Sequence, residues 1–146
     1  PARIVWCVSV QAKEKLAALA MPANAEKILK APVTAIIAMD TEFYEHLPEL
    51  FPHTDARSWF VGNEALAQTT AFRNSSLQGA YFILAARALG LDTGPMSGFK
   101  NAVIDELFYA GTSWRSNFLL NLGYGDGEKL HPRAARLDFD EACQIV

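Results

Sequence analysis

Residues 63–90 constrain this chain more than any other stretch. Asn63 can cap a helix, Glu64 suits the positive end of its dipole, and Gly90 is a natural stop. The helix between them would be roughly 40 Å long, at about 1.5 Å per residue. A rod of that length sets the dimension of any domain built around it. Its halves differ in character. Residues 68–78, "QTTAFRNSSLQ", are small and polar, whereas residues 79–89, "GAYFILAARAL", are apolar nearly all round. The apolar half is expected in a core, and the polar half close against another helix or a ligand.

The rest of the chain supplies strands and short helices. "RIVWCVSV" (3–10) and "VTAIIAMD" (33–40) read as largely buried strands. Residues 12–20 read as a helix, and Asn24 can cap a second one over 25–30. Residues 41–51, with Thr41 as a possible cap and Pro48 as a limit, form a short aromatic helix. Residues 52–62 form a surface loop with a helical turn, and a loop that long is often a lid. Residues 92–99 read as a glycine loop, 100–109 as a helix, and 117–127 as a strand ending in a glycine-rich turn. Residues 139–146 read as an acidic helical tail. This order predicts one α+β domain over residues 1–146, a mixed sheet flanked by helices with the long helix at its centre. The strand pattern is already running at Arg3, so the domain is expected to have a first part that precedes residue 1.

The 146 residues carry 13 basic and 16 acidic side chains and are 51% hydrophobic. That is enough apolar material for a core, and no basic block marks a nucleic-acid partner. No apolar run spans a bilayer, so no membrane partner is expected. No signal-peptide pattern opens these residues, and Cys7 and Cys143 form no CxxC pair. Two reduced thiols and a cytoplasmic location are the expectation. His46, His53 and His131 show no metal spacing, so no metal site is predicted.

Four groups could carry chemistry. In "LGLDTGPMSGFKNAV" (89–103), Gly94 and Gly98 permit unusual φ or close approach to a ligand, and Pro95 stiffens the segment. Such a bare backbone could bind a flat heterocycle or an anion, or could be a plain connection. It matches neither a P-loop nor a dinucleotide fingerprint. Arg133 and Arg136 could bind a phosphate, or form a solvated pair. Arg73, Asn74, Ser75 and Ser76 must in part face solvent, a subunit or a ligand. Phe43, Tyr44, Trp59, Phe60 and Phe72 could form the core or the wall of a ring site. No acid–base set is visible by spacing, which fits a protein whose cofactor does the chemistry.

"FRNSSLQGAYFILAARALGLDTGPMSGF", with "DARSWF" and "NLGYGDGEKL", resembles the nitroreductase family, in the branch that holds malonic semialdehyde reductase of pyrimidine catabolism. The resemblance implies an FMN-dependent homodimer with flavin at the subunit interface. Hydride would pass from NAD(P)H to flavin and on to a small-molecule acceptor. That acceptor would be malonic semialdehyde, giving 3-hydroxypropionate, or a nitro or quinone compound. Carried over, Pro95, Met96, Ser97 and Gly98 line the N5 and O4 edge of the flavin, with the Ser97 and Gly98 N–H groups as donors. Arg133 and Arg136 match the segment that binds the FMN phosphate. The resemblance assigns no catalytic side chain. Residues 41–62 would set substrate choice. The family's Arg/Ser-rich phosphate motif and "PTSAN"-like stretch precede the region matching Pro1. These residues alone are therefore expected to hold FMN poorly or not at all. The alternative reading is a flavin-free interaction module without activity.

Overall fold

The computed structural model describes residues 1–146. In chain order the main elements are β1 (Ala2–Cys7), α1 (Val10–Ala17), α2 (Pro22–Lys30), β2 (Val33–Asp40) and α3 (Leu47–Leu50). They continue with α4 (Glu64–Ala88), β3 (Asp92–Met96), α5 (Asn101–Tyr109), β4 (Trp114–Gly123) and α6 (Phe139–Ala142). Short 3-10 turns lie at Phe43–His46, Arg57–Trp59 and Gly127–Lys129. One four-stranded sheet has the order β1-β2-β4-β3. No helix is long and apolar enough to cross a membrane.

Every pairing in this sheet is antiparallel, where the sequence suggested a mixed sheet. The reason is the position of β4. Helix α4 carries the chain across the sheet, so β2 and β3 run the same way. The later strand β4 inserts between them in the opposite sense, and no like-directed strands become neighbours.

The central strand β2 is buried on both faces, as its apolar run predicts. On one face Ile36, Ala38, Leu119 and Met96 join Cys7, Leu16, Ile28, Ile104 and Tyr109, under α1, α2 and α5. On the other, Ala35, Ile37, Leu120 and Leu122 meet Ala86 of α4, with Phe82 and Ile83 alongside. Burying a side chain of this size contributes about 1.5–3 kcal/mol, so these two layers hold the fold.

Helix α4 has the expected ends. The Asn63 side chain accepts from the Leu66 N–H at 3.2 Å. At the other end Gly90 takes φ +82°, the Leu91 N–H donates to Ala86 O, and the Gly90 N–H donates to Arg87 O. That paired closure needs a left-handed residue, which glycine adopts without a Cβ penalty. The stripe facing the sheet is Ala67, Ala71, Ser75 and Gly79, all small and four apart. Small residues let the helix lie close, and a Cβ on Gly79 would sit 2.5 Å from Phe118 Cζ.

The expectation that residues 79–89 lie wholly in a core is corrected. Tyr81, Leu84 and Leu89 are exposed, as are Phe72 and Leu77 nearer the middle. A single sheet covers one side of a helix, and no other element of this chain covers the far side. Only 24 of the 146 residues are buried, which leaves a large apolar face open.

Several boundaries moved for identifiable reasons. β1 stops at Cys7 because Ser9 caps α1, its hydroxyl accepting from the Ala12 N–H. α2 starts at Pro22, since proline suits the first helical turn, and Asn24 does not cap it. Pro48 likewise sits in the first turn of α3 and opens that helix where the sequence suggested a limit. β4 begins at Trp114, and the tail is helical only over Phe139–Ala142. Residues 92–96 were expected to be loop and are strand. Glycine and proline weaken a strand in general, but β3 is a sheet edge, where a missing N–H is tolerated.

Candidate functional site

The stretch "DTGPMSGF" is built as a strand that ends in a tethered corner. Thr93, Gly94, Pro95 and Met96 pair with Leu122, Asn121, Leu120 and Leu119 of β4. The Met96 side chain is buried among Leu119, Ile104 and Leu16, so it anchors the corner and is not offered to a ligand. Pro95 and Ser97 are exposed, and Gly98 is half-buried. Neither Gly94 nor Gly98 has positive φ, so the expected unusual backbone is absent. What Gly98 requires is close approach. A Cβ there would lie 2.6 Å from Met21 Sδ and 2.9 Å from Asn24 Nδ2.

The corner is stitched to the connection between α1 and α2. Gly98 O accepts from the Met21 N–H at 2.9 Å and from Asn24 Nδ2 at 3.3 Å. The Lys100 N–H donates to Leu19 O at 3.0 Å, and Ala20 bridges Phe99. The Phe99 N–H donates back to Ser97 O at 3.0 Å. Gly98 O is thus turned toward the connection between α1 and α2. The N–H groups of Ser97 and Gly98 have no acceptor in this chain. Two successive unpaired donors on a fixed backbone form a ready edge for an electron-rich heteroatom. Asn24 was read from the sequence as a helix cap. Its contact with Gly98, 74 residues away, leaves no local signal.

The two arginines lie elsewhere. Arg133 and Arg136 are exposed on the tail, and Arg136 Nη1 donates only to Ala134 O and Ala135 O nearby. This single chain does not bring them to the corner. Beyond the Asp92 carboxylate, which accepts from the Gly125 N–H at 2.7 Å, the tail is exposed throughout.

The polar run of α4 divides. Ser75 is fully buried and donates to Ala38 O at 2.9 Å. Asn117 Nδ2 donates to Ser75 Oγ at 3.2 Å and to Ser76 Oγ at 3.0 Å. A register shift in the β2–β4 pairing skips Asn117 between Ser116 and Phe118, and such a bulge re-aims a side chain. Arg73 and Asn74 remain exposed.

Among the aromatics, Phe43, Tyr44 and Phe60 form one cluster. Phe43 meets Phe60 edge-on at 4.9 Å between centroids, and Tyr44 stacks on Phe60 at 6.1 Å. Arg57 clamps Glu45 through two hydrogen bonds of 2.7 and 2.8 Å, and this holds the Glu45 carboxyl below its usual range. The segment 41–62 is therefore a folded cap with its own small core. Trp59 and Phe72 stand outside that cluster, largely exposed. At the foot of the cap, buried Asp40 pairs with Arg3 at 2.7 Å and accepts from Ser113 Oγ at 2.6 Å. Cys7 and Cys143 are both free thiols. Burial pushes the Cys7 thiol up to about 11.

With this geometry in view, comparison with known proteins is decisive. The nitroreductase family model matches residues 3–124. The chain belongs to the nitroreductase family. A Burkholderia lata protein described by inference as an NADH dehydrogenase/NAD(P)H nitroreductase is 62% identical over 145 residues, covering 99% of this chain and 74% of that protein. HadB of Ralstonia pickettii, described in the same words, is 58% identical over 100% of this chain and 76% of its own length. Among solved structures, an Exiguobacterium sibiricum nitroreductase in complex with FMN superposes with a TM-score of 0.86 at 20% identity. It covers 99% of this chain and 76% of that one. An NAD(P)H:FMN oxidoreductase of Staphylococcus epidermidis gives 0.83 at 20% identity, covering 100% and 76%. These two structural likenesses establish the nitroreductase fold.

Proposed function

We propose that this nitroreductase-family chain works as an FMN-dependent NAD(P)H oxidoreductase. Its acceptor is a small electron-poor molecule, malonic semialdehyde or a nitro or quinone compound. The observation that carries the reading is the pair of unpaired N–H groups at Ser97 and Gly98, fixed at the end of β3. Their donor-only character fits the polar edge of a flavin ring. FMN, when bound, supplies the redox chemistry, accepting hydride from NAD(P)H and delivering it to the acceptor.

The chain's own residues do the rest. Ser97 and Gly98 would hold the ring edge through their N–H groups, and backbone dipoles fixed in advance would favour negative charge there without reorganisation. Met96 pins this backbone from the core side. Arg133 and Arg136 would hold the phosphate, reaching it from the tail of a second copy. Two features support a homodimer: the open apolar face of α4 (Phe72, Leu77, Tyr81, Leu84) and a tail that is exposed throughout. Symmetric pairing is the usual way to cover such a face. The cap over 41–62 is the segment that would select the acceptor, by position in the chain and by its folded aromatic wall.

The test is titration of the full natural protein, with any segment it carries ahead of residue 1, with FMN, followed by NAD(P)H oxidation with malonic semialdehyde, a nitroaromatic and a quinone offered separately. FMN-dependent oxidation of NAD(P)H is expected, with the preferred acceptor showing the highest kcat/KM. Absence of FMN binding together with absence of FMN-dependent oxidation would refute the reading.

A further inference from the structure

We infer that Asn24 and Met21, on the connection between α1 and α2, are positioning residues that hold the Gly98 carbonyl inward. They thereby keep the Ser97 and Gly98 N–H groups turned outward and free. The inference rests on the reading of this corner as the flavin edge.

The geometry is a two-point grip on one oxygen. Gly98 O accepts from the Met21 backbone N–H at 2.9 Å and from the Asn24 side-chain amide at 3.3 Å. A peptide plane is rigid, so fixing Gly98 O fixes the Phe99 N–H in the same plane, and that N–H bonds Ser97 O, which shares its own plane with the Gly98 N–H. The other side of the corner is held by the Phe99 N–H on Ser97 O and the Lys100 N–H on Leu19 O. Met21 Sδ and Asn24 Nδ2 press so close to Gly98 Cα that a Cβ would displace them, so glycine here serves the grip and not a turn. Without the grip, the exposed corner could rotate its peptide planes and bond Ser97 or Gly98 N–H to water in many orientations. Pre-orientation of donors is what makes them effective toward a ligand.

Asn24 offers an unusually clean test because of where it sits. It is the third residue of α2, whose first turn carries no acidic side chain. An acidic residue there is favoured by the helix dipole. Asn24→Asp keeps the size and suits the helix, but it loses the donor and sets a carboxylate against Gly98 O. The gain at the helix end offsets much of the lost bond, so the change loosens the grip on Gly98 O while leaving α2 intact.

The experiment compares wild type, Asn24→Asp and Asn24→Ala of the full natural protein by amide hydrogen exchange, without and with FMN, alongside thermal melts. In the FMN-free protein, exchange at Met21 N–H, which bonds Gly98 O, should quicken about tenfold in Asn24→Asp, the scale of one lost hydrogen bond. The melting temperature should change by only a few degrees. With FMN, the Ser97 and Gly98 amides should be protected in wild type. That protection should weaken by about fivefold to tenfold in both variants. Unchanged exchange at Met21 and undiminished FMN protection in Asn24→Asp would overturn the positioning role while leaving the flavin edge intact. Failure of FMN to protect Ser97 and Gly98 in wild type would overturn the flavin-edge reading and this inference with it.

Discussion

Gly79→Ala probes how tightly α4 is set on the sheet. Gly79 lies on the inward stripe of the helix, and a Cβ there would stand 2.5 Å from Phe118 Cζ and 2.7 Å from Cε1. Carbon atoms settle at about 3.5–4.0 Å, so the ring or the helix must move by roughly 1 Å. Ile37 Cγ2, 3.5 Å from the same point, closes one way out, and Phe118 is packed with the second core cluster. Overpacking of this kind costs about 1–3 kcal/mol. Replacing a mid-helix glycine by alanine contributes roughly 0.5–1 kcal/mol in the other direction. The steric effect wins, with a net loss of about 1 kcal/mol. For a chain of this size that lowers Tm by roughly 3 °C. Urea unfolding at fixed protein concentration, followed by circular dichroism, measures it. In a Phe118→Leu background the clash is gone, and the same Gly79→Ala change should become stabilising, which gives a clear coupling in the double-mutant cycle. Gly79→Ala as stable as wild type with Phe118 in place would refute the argument that this ring sets the helix-to-sheet distance.

Two further outcomes follow from other parts of the molecule. The Cys7 thiol is raised by burial from 9.0 to about 11, so the folded state favours its neutral form. Its contribution is therefore complete below about pH 9 and is lost as pH rises through 11. Denaturant melts of wild type and Cys7→Ala across pH 8–11 should show the stability gap narrowing with pH, and a constant gap would contradict the assignment. If the chain pairs through the open face of α4 as proposed, wild type sediments as a dimer at micromolar concentration and Tyr81→Glu with Leu84→Glu shifts it toward monomer; a monomeric wild type or an unmoved dimer would contradict that pairing.

Much of the secondary structure was legible because its signals are local. Asn63, Glu64 and Gly90 mark α4 through hydrogen bonds within four residues of themselves, and the apolar run 33–40 reads as a strand buried on both sides. Likewise the family resemblance sits in contiguous residues. Errors arose where a residue's partner lies far away in sequence. Gly94 and Pro95 read as loop because nothing nearby shows that β3 is an edge strand paired to residues 119–123. Residues 79–89 read as core because their apolar character says they need cover without saying what supplies it.

The candidate site divides in the same way. The residues themselves singled out Gly94, Pro95 and Gly98 as a bare backbone, and the resemblance to the nitroreductase family implied Ser97 and Gly98 as donors. Only the tertiary structure decided that Met96 points into the core, that Gly98 O is gripped by Met21 and Asn24, and that the two N–H groups are left without acceptors. It also left Arg133 and Arg136 exposed on the tail, with no hydrogen bond to that corner. The physical reason is reach. Caps, helix stops and hydrophobic periodicity act over a few residues and are written in their order. A hydrogen bond spanning 74 residues, or an N–H left free, depends on which distant surfaces the packed sheet brings together.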